Sequence, residues 1–304
     1  MKNDIINKFF QKKEQLTLAN DRYQKLVHDL IVWLLESDQV THDATTKALF
    51  SKEQIAKARI ITRQQITVAG LEEIIYLIQT FTTLQYTSLC KDGDRVEAGQ
   101  LLIEIQGNIK EILAFERIIL NILQRLSGIA TETNNIISQI KQLTINHQPF
   151  IAATRKTIWG LLDKKAVAMG GGLTHRLDLS DGILVKDNHL MLISASDALQ
   201  TLLKQVENTL IEIEVEDEQT LKQLVTLFTQ TTTDNVLAIL LDNFSPEKAK
   251  NVLSQLSPQP NIIFEASGGI TDENIIEWAG TGVDIISLGA LTHSSKAADL
   301  SLEI

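Results

Sequence analysis

Six short apolar runs in the second half of the chain constrain its fold more than any other feature. They lie at 150–153, 183–185, 210–215, 236–241, 262–266 and 283–288, and helical or polar stretches separate them. Alternating strand and helix units of this kind predict a parallel sheet, and near-continuous hydrophobicity is typical of strands that are buried on both faces. Because about six units recur, the pattern favours a β/α barrel over an open doubly wound sheet.

The first half of the chain has a different pattern. Helical spacing of apolar residues predicts helices over 21–37, 71–81 and 109–143, alternation predicts extended chain over 56–68, and polar residues predict a turn over 41–46. Small residues at Ser127-Gly128 indicate that the third helix could divide in two. Residues 91–102 predict a strand pair in which Gly93 and Gly99 supply positive φ angles. A biotinyl or lipoyl carrier barrel is the alternative there, but no lysine stands at the expected hairpin tip.

Composition excludes several classes of protein. The 304 residues suffice for one large domain or two of ordinary size. A formal net charge of -10 argues against binding to nucleic acid, which needs a continuous basic face. Cys90 is the only cysteine, so an internal disulfide and a cysteine-based zinc site are excluded. Residues 1–20 are too polar for a secretory signal, and no apolar run approaches the ~20 residues that span a bilayer, so we expect a cytoplasmic protein without a membrane partner.

Charged and glycine residues follow the predicted strands where each strand ends. In chain order they are Arg155 and Lys156, Lys186, Glu214, Asp242, Ser267-Gly268-Gly269, and Gly289. Because active sites of β/α barrels form at the carboxyl ends of the strands, these residues predict an active site. Cations are densest between residues 154 and 189, and against the negative charge of the whole chain they indicate a small, highly charged anion as substrate.

The last two strand ends indicate a phosphate. Glycines at Ser267-Gly268-Gly269 and at Gly289-Ala290 let backbone N–H groups approach phosphate oxygens closely. The carboxylates of Glu214 and Asp242 would repel an anion at the same place unless Mg²⁺ bridges the two. A carboxylate beside a sugar carbon would also stabilise an oxocarbenium ion. Structural ion pairs with lysines are the alternative for both acids.

The ordered motifs of the chain resemble those of the quinolinate phosphoribosyltransferase family, from about Asp43 to the C-terminus. They are Glu116-Arg117 with Leu120-Asn121, the segments 126–131 and 154–189, Glu212-Ile213-Glu214, Leu241-Asp242-Asn243, and the segments 265–270 and 289–294. The resemblance implies an N-terminal α/β sandwich domain over 1–116, rejoined by about 291–304, and an incomplete β/α (TIM-like) barrel over 117–290. It also implies phosphoribosyl transfer from phosphoribosyl pyrophosphate to quinolinate with decarboxylation, a step of NAD synthesis that gives nicotinate mononucleotide, CO₂ and pyrophosphate.

The resemblance further implies site residues and an assembly. The residues implied to surround the pyridine dicarboxylate are Thr154, Arg155, Lys156, His175, Arg176 and Lys186. Those implied to lie near the ribose and Mg²⁺ are Glu214 and Asp242, and those implied to hold the 5-phosphate are Ser267, Gly268, Gly269, Gly289 and Ala290. Lys156, Lys186, Glu214 and Asp242 are the expected catalytic residues. In a homodimer, or a larger assembly of dimers, Arg117 would enter the partner's site; a helix-surface ion pair is its alternative. His175 and His189 could instead be ordinary hydrogen-bonded loop histidines.

Departures from the family pattern leave other functions open. Ile158-Trp159-Gly160 stands where the family has a Thr-Pro-Gly turn, and Thr174 stands where asparagine is usual. These changes leave another pyridine carboxylate open as the acceptor. The paralogue found with molybdate transport genes is a related alternative, but the motif 186–189 favours the quinolinate enzyme over it. A Schiff-base aldolase using Lys156 or Lys186 is an alternative of another class. A sensor of a phosphorylated metabolite is a third, but it would not need both acidic residues.

Overall fold

The computed structural model describes residues 2–145 and 147–304 and divides into two compact units. The first unit consists of Met1–Lys12, Asn135–Lys156 and Gly172–Ala290, and the second of Lys13–Asn134, Thr157–Gly171 and Leu291–Ile304. Each unit is therefore assembled from three segments, whereas the predicted barrel domain was one continuous stretch. Within the described residues, no helix is long and apolar enough to cross a membrane.

The first unit contains a six-stranded parallel sheet, and each predicted apolar run forms one of its strands. The strands are β6 (Phe150–Ala152), β7 (Ile183–Val185), β8 (Leu210–Val215), β9 (Val236–Asp242), β10 (Ile262–Ser267) and β11 (Ile285–Ser287). Their order is β6-β11-β10-β9-β8-β7, and in the part of the chain that the structure describes β6 does not pair with β7. The sheet is thus an incomplete barrel, as predicted.

Helices cover this sheet and connect its strands. They are α1 (Lys2–Phe10), α7 (Asp187–Leu190), α8 (Ala195–Gln205), α9 (Glu218–Thr229), α10 (Pro246–Ser254) and α11 (Ile275–Ala279). Side-chain oxygens cap several of them: Ser194, Asp217 and Ser245 each accept a hydrogen bond from a backbone N–H in the first turn. These caps fix where the three helices begin, and so where the loops that precede them end.

The amino-terminal helix belongs to the core of the first unit. Ile6 and Phe10 of α1 are fully buried and pack in one cluster with residues from the strands, among them Ala152, Leu210 and Ile285. Burial of two large apolar side chains stabilises such a core by about 1.5–3 kcal/mol each. The chain therefore enters the first unit before it builds the second.

The second unit contains a four-stranded antiparallel sheet, a two-stranded sheet and several helices. The four strands are β1 (Ile55–Thr62), β3 (Gln85–Ser88), β5 (Leu101–Asn108) and β12 (Leu300–Glu303), in the order β12-β1-β5-β3; β2 (Ile66–Thr67) pairs with β4 (Arg95–Val96). The helices are α2 (Asp21–Ser37), α3 (Ala44–Leu49), α4 (Leu71–Phe81), α5 (Ile109–Lys141), α6 (Leu161–Met169) and α12 (Ala290–His293), and two 3-10 turns lie at Lys13–Gln15 and Val40–His42. Helix α5 runs from this unit into residues of the first, and α12 begins at the last residue of the first. The last residues of the chain join this sheet through β12, which pairs with β1.

The predicted break at Ser127-Gly128 is wrong, because α5 is one continuous helix. Gly128 serves close approach instead: a Cβ at this position would clash with the carbonyl oxygen of Lys296. Ser127 is fully buried and exchanges hydrogen bonds with the backbone of Ala69. The low helix propensity of Ser127 and Gly128 is outweighed by the packing of other segments of the same chain against them.

Two further local predictions need correction. Residues 91–102 do supply two strands, but these do not pair with each other, since β4 pairs with β2, and β5 with β1 and β3. Gly93 and Gly99 do have positive φ angles, of 90° and 84°. The segment 41–46 is not only a turn, because α3 starts at Ala44 with Asp43 capping its first turn. At residues 91–102 the pairing partners lie outside the segment, whereas at 41–46 the capping residue Asp43 and its donor Thr46 lie within it.

Candidate active site

A cavity of about 340 Å³ opens at the carboxyl ends of the parallel strands in the first unit. Its lining residues are Thr154, Arg155, Lys156, His175, Arg176, Leu184, Lys186, Glu214, Leu240, Asp242, Glu265, Ser267, Gly268 and Ser287. Ten of these are residues that the sequence predicted for the site. Because all of them belong to one compact unit, the geometry of the cavity follows from the fold of that unit alone.

Strand register explains which residues line the cavity. Side chains two apart on a strand point to the same face, and the lining contains such pairs from β9 and β10: Leu240 with Asp242, and Glu265 with Ser267. The parallel register places Ser267 beside Asp242 and Glu265 beside Leu240. The cavity therefore has an outer layer at the strand ends and a deeper layer two residues earlier.

Four cationic side chains surround the mouth of the cavity. Arg155, Lys156 and Lys186 are exposed, and Arg176 is partly buried. Burial lowers the pKa of Arg176, and the positive charge of Arg155 lowers it further, although nearby carboxylates act in the opposite direction. Mutual repulsion of this kind is relieved when an anion binds between the cations.

Two carboxylates, Glu214 and Asp242, face the same cavity from neighbouring strands. Burial raises the pKa of Glu214, and the charge of Asp242 raises it further, while Lys186 lowers it. Gly268 lies against Asp242, since a Cβ on this glycine would stand 2.6 Å from Asp242 Oδ1. With a φ of 87°, Gly268 also occupies the left-handed region that glycine adopts without strain.

The two acids fit a magnesium ion in their chemistry. Mg²⁺ prefers oxygen ligands and is commonly held by one or two carboxylates together with substrate phosphates. Burial is the main cause of the raised pKa of Glu214 and the charge of Asp242 the next, and a divalent cation bound between the two carboxylates would offset both effects. Both side chains are only partly buried, so a ligand bound in the cavity could complete the coordination.

His175 is the most constrained of the predicted site residues. Its backbone has a φ of 54°, in the left-handed region, and the residue is 7% exposed. Nδ1 accepts a hydrogen bond of 2.7 Å from the backbone N–H of Arg176, and Nε2 lies 3.4 Å from Glu212 and 3.3 Å from Glu265. Burial alone would lower the pKa of His175, but the two carboxylates outweigh it and raise that pKa to about 10. A strained backbone held by so many contacts is typical of a functional position.

Glu212 and Glu265 were not predicted as site residues, although both lie within motifs of the resemblance. They are 1% and 0% exposed, and burial together with the charge of Glu265 raises the pKa of Glu212. One ligand atom from each of them and from His175 lies within 4.8 Å of the others, so the three could also hold a cation. The signal that was missed is the strand period: Glu212 lies two residues before Glu214 on β8, on the same face.

Four predicted residues do not line the cavity. Gly269, Gly289 and Ala290 belong to the first unit, beside the ends of β10 and β11, whereas Arg117 belongs to the second unit and is exposed on α5. His189, the alternative loop histidine, accepts a hydrogen bond of 3.0 Å from the backbone N–H of Lys186. This bond orders the turn at the base of Lys186.

The sequence matches known proteins along most of its length. The sequence model described as "Quinolinate phosphoribosyl transferase, C-terminal domain" matches residues 129–303, and the one for the N-terminal domain matches residues 43–127. A probable nicotinate-nucleotide pyrophosphorylase [carboxylating] of Methanothermobacter thermautotrophicus is 36% identical over 91% of this chain and 98% of its own length. The Mycobacterium leprae nicotinate-nucleotide pyrophosphorylase [carboxylating] is 34% identical over 94% and 97%.

Solved structures agree with the sequence comparisons. The nicotinate-nucleotide pyrophosphorylase from Francisella tularensis superposes with a TM-score of 0.80 at 34% identity, covering 92% of this chain and 96% of that one. Both compact units are therefore present in a single known protein chain of similar length.

Proposed function

The chain belongs to the quinolinate phosphoribosyltransferase family, and from this premise we propose how its cavity performs the reaction of that family. The enzyme is a carboxylating nicotinate-nucleotide pyrophosphorylase, a pentosyltransferase. It transfers the phosphoribosyl group of phosphoribosyl pyrophosphate to quinolinate, and it releases CO₂ and pyrophosphate as nicotinate mononucleotide forms. The reaction supplies NAD synthesis.

One observation carries the assignment of the site: four cationic side chains line the same cavity as the carboxylates of Glu214 and Asp242, at the strand ends. Quinolinate brings two carboxylates and phosphoribosyl pyrophosphate brings several phosphate charges, so the substrates require cations on more than one side. The carboxylates of Glu214 and Asp242 would repel such anions unless they bound a metal ion or stabilised a developing positive charge. The proposed reaction uses a Mg²⁺ ion and develops a positive charge at C1 of the ribose.

The acceptor side is formed by Arg155, Arg176 and His175, with Thr154 and Lys156 beside them. Guanidinium groups can each grip a carboxylate with two parallel hydrogen bonds, which fixes the orientation of the ring as well as its position. Held in this way, the pyridine nitrogen is directed toward C1 of the ribose. Orientation of the two reactants converts an encounter into a step within one complex.

The chemistry then proceeds in two stages. The nitrogen lone pair forms a bond to C1 as the bond from C1 to the pyrophosphate oxygen breaks, and the ribose carbon passes through a state of oxocarbenium character. Glu214 and Asp242, as carboxylates near this carbon, stabilise that positive charge. The nitrogen is now a pyridinium, so when the adjacent carboxylate leaves as CO₂ its electron pair stays on the ring carbon, which finally takes up a proton.

Magnesium is part of this proposal, with Glu214 and Asp242 as the residues that would hold it, directly or through water. When bound, Mg²⁺ would neutralise oxygens of the departing pyrophosphate. Lys186 provides a fixed positive charge on the same side of the cavity, and it offsets the negative charge that builds up as the bond breaks. Lys156 does the same beside β6.

The 5-phosphate side is proposed for the loops after β10 and β11. Ser267 and Gly268 line the cavity, and Gly269, with a φ of 60°, continues the exposed loop. Gly289 and Ala290 follow the neighbouring strand, where β/α barrels commonly bind phosphate. Backbone N–H groups at these positions would hold the phosphate while the sugar carbon reacts.

A homodimer with a shared site is also proposed, in which Arg117 of one subunit reaches the acceptor of the other. The support is the resemblance at Glu116-Arg117 and the exposure of Arg117 on α5, which leaves its guanidinium available to another chain. A cytoplasmic location remains a prediction. Sedimentation of the protein and mixing of Arg117→Ala with Lys186→Ala subunits test the shared site, since mixed dimers would recover activity at one of two sites.

The decisive assay combines purified protein, phosphoribosyl pyrophosphate and Mg²⁺ with quinolinate or nicotinate. We expect release of CO₂ in equal amount to nicotinate mononucleotide with quinolinate, and no CO₂ with nicotinate. Omission of Mg²⁺ with a chelator present should abolish turnover. Turnover that persists without a divalent cation would exclude the proposed role of the two acids, and no product with either acceptor would exclude both substrates.

A further inference from the structure

We propose that Phe10, on the amino-terminal helix α1, is a positioning residue that sets the orientation of His175 and thereby the affinity of the cavity for its acceptor. The inference rests on the proposed role of His175 in holding quinolinate. Phe10 precedes both segments that match the family, which begin at residue 43, and it is fully buried. The contacts that carry the inference all lie within the first compact unit.

The backbone of α1 holds the backbone of His175. The N–H of His175 donates a hydrogen bond of 2.9 Å to the carbonyl oxygen of Phe10. This carbonyl lies at the end of a helix, where the oxygens lack partners within the helix and bind donors from elsewhere. The bond helps to hold His175 in its left-handed conformation, which a residue other than glycine adopts only with strain.

Neighbouring hydrogen bonds attach the same two segments on either side. The hydroxyl of Thr174 donates to the Phe10 carbonyl at 3.1 Å and accepts from the N–H of Lys12 at 2.9 Å. The side-chain amide of Gln11 donates to the carbonyl of Gly172 at 3.0 Å. Thr174, which replaces the asparagine usual in the family, is therefore one of the residues that join α1 to the site.

The side chain of Phe10 then determines the position of the imidazole. The two rings stand perpendicular, with an interplanar angle of 89° and centroids 5.0 Å apart. Such an edge-to-face pair is favoured over a stacked pair and stabilises one orientation of the rings. Polar groups hold the nitrogens of the imidazole, and the ring of Phe10 supplies an apolar contact that limits its rotation.

Loss of the Phe10 ring should therefore weaken acceptor binding selectively. An imidazole with space beside it must be ordered when quinolinate binds, and this ordering reduces affinity. Phosphoribosyl pyrophosphate is proposed to bind at the opposite side of the cavity, so its binding should change little. A merely structural role of Phe10 would affect both substrates alike.

The test is steady-state kinetics of the full-length protein with each substrate varied in turn. Phe10→Leu retains most of the apolar volume and removes the ring; we expect the KM for quinolinate to rise about fivefold to twentyfold, with the KM for phosphoribosyl pyrophosphate and kcat within about twofold of the native values. Ile6→Val is the matched control, because Ile6 is fully buried in the same core cluster as Phe10. This substitution changes the packing of the core but removes no aromatic contact with His175. This control should leave both KM values unchanged.

A double-mutant cycle separates this inference from the assignment beneath it. If His175→Ala does not raise the KM for quinolinate, the proposed role of His175 is wrong and the positioning role falls with it. If His175→Ala raises that KM but Phe10→Leu does not, the assignment of His175 stands and the positioning inference is wrong. In a His175→Ala background Phe10→Leu should have no additional effect, because the ring it positions is gone. An equal rise for both substrates in Phe10→Leu would also contradict the inference.

Discussion

Two buried clusters of charges, one in each compact unit, differ in how fully their polar atoms are paired. The cavity cluster, in the first unit, consists of His175, Glu212 and Glu265. The lysine cluster, in the second unit, consists of Lys165 with Tyr23, Glu72, Glu73 and Asp92. Both place a cation among two or more acids away from water, which costs desolvation free energy that pairing must offset.

The lysine cluster is almost fully paired. Lys165 Nζ contacts Glu72, lies 2.6 Å from Glu73 and lies 3.6 Å from Asp92, and the hydroxyl of Tyr23 donates to Glu73 at 2.7 Å. Asp92 also accepts the backbone N–H of Leu71 at the start of α4. Of the six carboxylate oxygens, only Glu73 Oε2 lacks a hydrogen-bond partner among the described residues. Such a network holds helices α2, α4 and α6 together.

The cavity cluster is paired much less completely. Glu212 Oε1 and both oxygens of Glu265 are buried and, within the described part of the chain, accept no hydrogen bond. His175 Nε2 lies 3.3 to 3.4 Å from the two carboxylates, and the positive charge of Arg176 also lowers the pKa of Glu212. Buried acceptors without hydrogen bonds cost about 1–3 kcal/mol each, so this region gives up stability. The lysine cluster therefore has the pairing expected of a structural network, whereas the cavity cluster keeps unpaired acceptors beside the proposed acceptor site.

The largest effect is expected where charge meets the substrates. Arg155→Ala and Lys186→Ala should each lower kcat/KM on the order of 10³-fold, because each removes a cation that faces developing or fixed negative charge. Thermal unfolding should be almost unchanged, since both side chains are exposed. Lys204→Ala, at an exposed lysine outside the cavity lining, is the control. Unfolding of both site variants would assign them structural roles and remove the contrast between the units.

Lys165→Ala should have the opposite profile. It leaves three neighbouring carboxylates without their cation, and we expect a loss of about 3 kcal/mol in the free energy of unfolding, measured in urea. The kcat of the folded fraction should stay close to native. Lys222→Ala provides the comparison, because its ion pair with Glu218 is largely exposed and is worth less than ~1 kcal/mol. If the two lysine variants lose equal stability, the buried network does not stabilise the second unit.

Glu265→Gln tests whether the cavity cluster gives up stability for function. The substitution removes a buried charge and keeps the shape of the side chain, so the free energy of unfolding should rise by about 1 kcal/mol. The KM for quinolinate should increase, because His175 loses one of the carboxylates that hold its ring. Calorimetry and kinetics on the same preparation measure both quantities. A variant that loses stability would show that this cluster is as structural as the other.

The smallest effect concerns the dependence of stability on pH. The pKa of Asp92 is raised from its ordinary value of 3.8 to about 6, because burial and the charge of Glu73 raise it more than Lys165 lowers it. Because the folded state binds this proton more tightly than the unfolded state, stability from this group is present below pH 4 and is lost as the pH rises through 6. Asp92→Asn removes that contribution, so the difference in unfolding free energy between native protein and variant should vary between pH 4 and 6 and be constant above pH 7. Chemical denaturation across this range measures it, and a constant difference throughout would mean that Asp92 has an ordinary pKa.

Much of the fold followed from local patterns. Helix α4 at 71–81, helix α2 at 21–37 and the six parallel strands all lie where apolar spacing predicted them, since burial of one face dictates the period of the sequence. The cations and acids at the strand ends could likewise be predicted, because the carboxyl ends of parallel strands share one edge of the sheet. Residues within the strands were less visible as site residues: Glu212 lies inside an apolar run, and its alternation with Glu214 was the only local sign.

What the sequence alone determined is the succession of strands and helices, the family and the types of charge at the strand ends. The tertiary structure decided which residues touch: that α5 continues through Gly128 beside Lys296, that β4 pairs with β2, and that Phe10 packs on a histidine 165 positions later. The physical reason is that periodicity reports whether a side chain is buried and on which face, whereas contacts between distant segments depend on packing that no local pattern encodes.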